Sequence, residues 1–386
     1  MIGGAPAAIA FEPTPQERDV GALAADFARR EIAPHVAQWD RAHTFPRALY
    51  TLLSDVGLMG LLVPEDYGGA GTGYVAYALA VEEIARVDAG AAVTISVHSM
   101  ICNAIAQIGD EAQKTQWLPR LAGDAIAAFA LTEPEAGSDA AAIRSRARRE
   151  GDDYVLSGRK QWCTNGSYAD LIMAVFRTAE ADRGLSSFIV EASTAGVHVE
   201  KVTEKLGIRT SNTCDIVFED ARVSVHALLG REGEGLSRAL ATLAAGRIGI
   251  AAQACGILAA CLDESVKFAR DRVAFGRPIA AFEGISFKIA QMATDLDAAR
   301  LLTHRAAALA QAGQPFAVDA SKAKLFASTA ARKHAAEAIQ IHGGYGFTTE
   351  FPVERFYRDA KITEIYEGTS EIQQLIIARS LLGRAE

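Results

Sequence analysis

The sequence predicts an α+β chain in three parts: a helical N-terminal domain (1–125), a β-barrel-like antiparallel middle domain (126–232) and a C-terminal helical bundle domain (233–386). Three observations predict it. Apolar residues in the first third recur at helical spacing, as at Leu23, Phe27 and Ile32. After about residue 125 the pattern changes to short β-favouring runs separated by Gly/Asn/Asp/Ser clusters. From about Gly233 onward, long Ala/Leu/Ile/Arg stretches return to i, i+3, i+4 spacing.

In the first part, Thr14-Pro15-Gln16-Glu17 is a helix start. Thr14 caps, Pro15 suits the first helical position, and Glu17 reaches back to complete a capping box. Pro46 opens a helix through Leu52, Leu53 and Val56. Glu65–Tyr74 is a glycine-rich loop, and helices are predicted over 76–88, 93–108 and 111–121. In the middle part, strands are predicted at Tyr154–Leu156, Leu171–Phe176, Ser187–Val190, Val197–Val199 and Asp215–Phe218. Repeated short strands with turn signals point to an antiparallel sheet, not βαβ units. In the last part, Pro278, Pro352 and glycine pairs punctuate the helices. The apolar tract Ala241–Leu262 contains Arg247, Gln253 and many small residues, and reads as a buried core helix instead of a membrane span.

Composition narrows the function classes. With 50% hydrophobic and 22% charged residues, the chain is far from the disordered regime. The formal net charge of -8 and the lack of a Lys/Arg block argue against a nucleic-acid partner. Five scattered cysteines, with no C-x-x-C pair, read as reduced and mostly buried thiols of a cytoplasmic protein. The histidines show no H-E-x-x-H and no i, i+4 pair, so no metal site is expected. Residues 1–12 lack the basic start and apolar stretch of a signal peptide. A G-x-G-x-x-G after a strand, a P-loop and a G-x-S-x-G elbow are all missing.

Three segments have the composition of a site. Leu131–Asp139 (LTEPEAGSD) offers Thr132, Ser138 and a flexible Gly137; alone it reads equally as a turn into a strand. Gln161–Gly166 (QWCTNG) contains an Asn-Gly turn signal, with Trp162 either core or ligand-facing. Gln340–Gln373 contains IHGGYGF, where glycines admit a bulky ligand, and IYEGTSEIQ, where Glu367 sits directly before a glycine. A carboxylate in such a loop suits a mobile general base. Glu364, Glu367 and Glu371 also suit one solvated helix face.

In combination, LTEPEAGSD, QWCTNG, DRVAFGRPI, QIHGGYGF and IYEGTSEIQ, in that order, resemble the acyl-CoA dehydrogenase family over about residues 14–381. The resemblance implies that family's fold, with a C-terminal four-helix bundle. It also implies FAD, an acyl-CoA thioester substrate and a homotetramer built as a dimer of dimers. Electron transfer flavoprotein is the implied oxidant, with no membrane partner. Phe129, Leu131, Thr132, Gly137 and Ser138 match residues along the flavin ring and its phosphates. Trp162 and Thr164 match the pair on its other side, the tryptophan lying near where the electron acceptor approaches. Arg272 and Phe275 match the element that binds the adenosine-diphosphate half of FAD in a neighbouring subunit, and Gln340, Gly343 and Gly344 match the opposite wall. Thr369 and Glu371 match contacts beyond the base. Ser138, Arg247, Tyr366 and Gly368 match substrate contacts.

Glu367 falls on the catalytic carboxylate. Some relatives carry the base on the helix equivalent to Ser237–Ile250, but Leu236–Leu262 contains no Asp or Glu, so Glu367 has no competitor there. Ala244 stands where the family often has an acidic residue, and Glu283 where it often has Gln, with Arg272 or Arg277 available to pair with it. Cys163 replaces a common isoleucine, and Gln374 a frequent basic residue. The implied reaction is α,β-dehydrogenation of a short-chain or branched short-chain acyl-CoA to the trans-2-enoyl-CoA, in fatty-acid β-oxidation or branched-chain amino-acid catabolism. A flavin monooxygenase or oxidase of the same fold, acting on a non-CoA substrate, is the rival. The retained glutamate disfavours it.

Overall fold

A computed structural model describes residues 12–179 and 184–383. Most of the N-terminal stretch read for a targeting signal, residues 1–11, lies outside them. The first part contains α1 (Pro15–Phe27), α2 (Val36–Ala42), α3 (Arg47–Asp55), α4 (Gly73–Val87), α5 (Ala89–Ile108) and α6 (Glu111–Ala122). The capping box forms as read. Glu17 N donates to Thr14 Oγ1 at 3.2 Å, and Thr14 N donates to Glu17 Oε2 at 2.7 Å. Asp110 and Gln113 form a second box at the start of α6. The sequence did not predict α2, a short helix with only two buried residues.

The middle part is one sheet in the order β6–β7–β3–β2–β4–β5–β8. Its strands are β1 (Ala127–Ala130), β2 (Arg146–Glu150), β3 (Asp153–Thr164), β4 (Leu171–Arg177), β5 (Leu185–Glu191), β6 (Val197–Val202), β7 (Thr213–Ser224) and β8 (Leu228–Leu229). All five expected strands form. Pairing is antiparallel except that β1 runs parallel to β4, Ala127 opposite Leu171, and β2 touches β4 in parallel at one residue pair. β1 was missed because its residues, AAFA, include no β-branched one. β2, RARRE, was hidden by its charges.

The last part contains α7 (Gly235–Asp271), a small hairpin β9–β10 (Val273–Ala274 and Arg277–Pro278), α8 (Glu283–Gln311), α9 (Ala317–His342), α10 (Val353–Ile362) and α11 (Ser370–Leu382). α7 is the spine. Its 37 residues span about 55 Å, and it packs against α4, α5, α8 and α9. Both α5 and α7 are long and apolar enough to cross a bilayer, but each is largely buried within this fold.

Buried polar links tie the three parts together. Asn165 adopts a left-handed backbone, φ 70°. Its Nδ2 donates to Thr94 O of α5 at 3.1 Å and to Ala127 O of β1 at 3.0 Å. Thr210 Oγ1, in the loop before β7, donates to Asp88 Oδ1 at 2.8 Å. The neighbouring Ile208 N donates to Asp359 of α10. Arg358 of α10 reaches Asp40 of α2 at 2.6 Å.

Candidate active site

The residues expected along a flavin are carried by the β3 edge and the loop before it. Between Lys160 and Cys163 the β3–β7 register shifts, and at this bulge Trp162 takes φ 60°. The kink turns the indole outward, leaving it 54% exposed. Gln161 N donates to Thr132 O at 2.8 Å, which fastens the Leu131–Ser138 loop beside it. Leu131 is buried, Phe129, Thr132 and Thr164 are half-buried, and Gly137 and Ser138 are exposed. A Cβ built at Gly137 would meet nothing within 4 Å. An exposed aromatic ring next to a loop that carries hydroxyls and an open glycine suits a planar, phosphate-bearing group such as the implied flavin.

A buried ion pair that the sequence reading missed braces this surface. Lys160 Nζ lies 2.6 Å from Glu133 Oε1, with the ammonium fully buried. Glu133 also accepts from Arg144 N at 2.7 Å and Ser145 N at 3.0 Å. Burial opposes its ionisation, but the Lys160 ammonium and these donors outweigh burial and hold the carboxyl below its ordinary value. The partners lie 27 residues apart, so no local pattern reveals the pair.

Glu367 lies across from α7. It adopts φ +54° and Gly368 φ +90°, a left-handed pair that turns both carbonyls to one side. There Glu367 O accepts from Gln373 Nε2 at 3.2 Å and Arg247 Nε at 3.4 Å. Gly368 O accepts from Lys324 Nζ at 2.6 Å and Gln373 Nε2 at 2.8 Å. The Glu367 side chain turns the other way, toward Gly246 of α7 and Met100 of α5. A Cβ at Gly246 would lie 2.8 Å from Glu367 Oε2 and 2.7 Å from Met100 Sδ. The residue as a whole is partly exposed, yet Oε2 is buried and has no hydrogen-bond partner. Among the described residues the Glu367 N–H donates to no protein group. Burial pushes the carboxyl up to about 7, against the pull of Arg247 and Lys324. The result is a carboxyl with one oxygen buried and unpartnered, poised near neutral pH beside a free amide donor, the two groups needed to enolise a carbonyl compound.

Beyond Glu367, α7 presents Gly246, Gly249 and Gln253 along one face. At Gly249 a Cβ would lie 2.2 Å from Ser96 Oγ and 2.3 Å from Tyr77 Oη, and these hydroxyls bond each other at 3.1 Å. Tyr366 Oη bonds Gln253 Oε1, and Gln253 Nε2 donates to Ala89 O at 2.7 Å. Of the expected substrate contacts, Arg247, Tyr366 and Gly368 are thus engaged in hydrogen bonds within the protein, while Ser138 is open. Thr369 caps α11, accepting from Ile372 N at 3.4 Å, and Glu371 is exposed.

The remaining expected cofactor residues form a second group. Arg272 ends α7 and lies 5.4 Å from the Tyr345 ring. Phe275 is 95% exposed, Gln340 is exposed, and Gly343 and Gly344 face open space. Among the described residues no ion pair joins Glu283 to Arg272 or Arg277; Arg277 instead lies 4.3 Å from the Phe282 ring.

Three family models match in series: "Acyl-CoA dehydrogenase, N-terminal domain" over residues 14–124, "middle domain" over 128–221 and "C-terminal domain" over 233–382. An acyl-CoA dehydrogenase of Bacillus subtilis is 50% identical, covering 93% of this chain and 96% of its own. The mitochondrial short-chain specific acyl-CoA dehydrogenase of Mus musculus is 48% identical, covering 92% and 88%. Butyryl-CoA dehydrogenase from Megasphaera elsdenii superposes with a TM-score of 0.95 at 42% identity, covering 97% of this chain and all of its own. A Mycobacterium smegmatis glutaryl-CoA dehydrogenase in complex with FADH2 superposes at 0.91 and 34% identity, covering 97% and 96%.

Proposed function

The chain belongs to the acyl-CoA dehydrogenase family, and on that premise we propose that it oxidises short-chain acyl-CoA thioesters with Glu367 as the α-proton base. It is an FAD-dependent oxidoreductase acting on acyl-CoA. The single observation that carries the assignment of the base is the buried, unpartnered Glu367 Oε2 beside Gly246.

Glu367 takes the α proton while the thioester oxygen gains negative charge. The free Glu367 N–H is the protein donor for that oxygen, already oriented by the left-handed turn. An acyl chain entering over Met100 displaces water, which strengthens the carboxylate as a base. Bound FAD supplies the acceptor for the β hydride. Phe129, Leu131, Thr132, Gly137, Ser138, Trp162 and Thr164 hold its flavin half, with Thr369 and Glu371 beyond the base.

Pocket depth supports a short acyl group. Gly249 lies about 4.5 Å along α7 from Gly246, and there Tyr77 Oη and Ser96 Oγ close the space. Hydroxyls packed against α7 at that point disfavour a longer apolar chain.

The cofactor is shared between subunits in this reading. Arg272 lies 26 residues beyond Gly246 on one continuous helix, about 39 Å, further than one dinucleotide reaches. Arg272, Phe275, Gln340, Gly343 and Gly344 therefore serve the adenosine end of a neighbour's FAD, in a homotetramer built as a dimer of dimers. Exposed Phe275 and Phe347, 95% and 87%, are aromatic surfaces that such contacts cover. Electron transfer flavoprotein approaches the exposed Trp162.

Anaerobic flavin bleaching with a graded acyl-CoA series tests the proposal. Butyryl-CoA is expected to bleach the flavin rapidly and palmitoyl-CoA slowly; the reverse order refutes the depth argument. Straight and branched short thioesters in the same series assign the chain to fatty-acid or branched-chain amino-acid breakdown.

A further inference from the structure

The inner face of α9 is built mostly of alanine, with Ser321, Lys324, Ser328, His334 and His342 also buried on it. Ala320, Ala323, Ala327, Ala330 and Ala331 are all buried there. Lys324 sits among them with no exposed surface. A lysine in such a place loses its hydration, so its ammonium needs strong compensation. Among the described residues it forms no salt bridge; its one bond is to Gly368 O at 2.6 Å. One turn earlier on the same helix, Ser321 Oγ receives Arg247 Nη1 at 3.4 Å. α9 thus anchors both the base loop and the guanidinium beside it. A neutral amide in place of the ammonium would satisfy the carbonyl, so the bond alone leaves the buried charge unexplained.

We propose that Lys324 is a positioning residue for the base: its buried ammonium, clamped on the Gly368 carbonyl, holds the left-handed Glu367–Gly368 turn and supplies, with Arg247, the positive field in which the carboxylate works. This rests on the reading of Glu367 as the base. A left-handed non-glycine residue is intrinsically unfavourable. The turn persists because its two carbonyls are gripped from three helices: by Arg247 of α7, Lys324 of α9 and Gln373 of α11. The charged and titratable groups around the carboxylate are Arg247, Lys324, Tyr77 of α4 and the adjacent Tyr366. Glu364 and Glu371 act on Lys324 from its other side. Met100 of α5 adds no charge. Burial brings the Lys324 ammonium down to about 8, opposed by Glu367. Near neutral pH it still carries its proton while Glu367 is losing its own.

The test is the pH profile of kcat/KM for butyryl-CoA in the FAD-loaded enzyme. Lys324→Met removes bond and charge. Its acid limb is expected to move up by about one pH unit, a roughly ten-fold loss on the acid side, with kcat lowered as well. Lys324→Gln restores a donor without charge, so kcat partly recovers while the limb stays displaced. Lys324→Arg keeps the charge and the original limb. A purely structural lysine would alter flavin content or thermal stability and leave the limb in place. Should Lys324→Met fail to retain flavin, Lys324→Gln decides. The proposal is overturned if Lys324→Met or Lys324→Gln, with flavin retained, keeps the acid limb of the parent, whatever its kcat. Glu367→Gln separates the two levels. If that variant still turns over, the base assignment itself fails. If it is inactive and the Lys324 variants keep the parental limb, only the role of Lys324 fails.

Discussion

Gly246→Ala perturbs the acid–base geometry with little else. The added methyl would stand 2.8 Å from Glu367 Oε2, 3.3 Å from its Cδ and 2.7 Å from Met100 Sδ. All three atoms belong to the ends of flexible side chains, so α7 itself need not move. Restoring the ordinary contact of 3.4 Å requires the carboxylate oxygen to retreat by about 0.6 Å. A misplacement of about 1 Å can cost on the order of 100-fold in rate, so this retreat predicts about a ten-fold loss in flavin reduction. Stability moves much less. Alanine recovers about 1 kcal/mol of helix propensity over glycine. An extra core methyl costs about 1–3 kcal/mol, at the low end because methionine repacks easily. Stopped-flow flavin reduction by butyryl-CoA, with thermal unfolding of the same holoenzyme, separates the two. An unchanged reduction rate accompanied by a marked fall in unfolding temperature would show that the methyl strains the helix and never reaches the base.

Glu367→Gln is expected to keep FAD and lose about 100- to 10,000-fold in dehydrogenation, together with α-proton exchange; near-normal turnover refutes the assignment. The same variant has a pH signature in stability. With the folded pKa raised from 4.5 to about 7, the stabilising protonated form is fully present below about 4.5 and lost as pH rises through 7. At pH 8 the buried charge therefore costs on the order of 3 kcal/mol, so Glu367→Gln should unfold at a higher temperature than the parent at pH 8 and at a similar one at pH 4.5. Lys160→Met leaves Glu133 buried without its cation, a break worth about 3–5 kcal/mol, and should loosen flavin binding as read by cofactor loss on gel filtration; full retention refutes the bracing role. Arg272→Ala should weaken FAD retention and tetramer formation together, and full occupancy in a dissociated protein would count against a shared cofactor.

Where chemistry is local in sequence, the sequence showed it. Thr14 and Glu17 are three residues apart and form the capping box as expected. The apolar tract Ala241–Leu262 foretold a buried helix, whereas Glu367 in its own segment suited a solvated helix face as well as a base, and only the family resemblance singled it out. Where the chemistry is made by the fold, the sequence was mute. Lys324 looks like any lysine in an alanine-rich helix, and its burial becomes visible only when α9 closes on the 366–369 loop. Tyr77, Ser96 and Gly249 come from three helices, so the pocket floor has no linear signature. Asn165-Gly166 carries a turn signal in the sequence. The turn residue is left-handed, but its amide is spent on two distant carbonyls, and Gly166 is buried where a Cβ would lie 2.4 Å from Cys214 Sγ.

That asparagine has a consequence for anyone recombining these enzymes. Each half of the Asn165, Thr210–Asp88 and Ile208–Asp359 links is supplied by a different third of the chain, and each is sealed from water. Three tidy sequence modules are therefore one mechanical object. A chimera that borrows its middle third from a cousin must carry matching acceptors in the flanking thirds, or it will assemble with stranded amides at its seams.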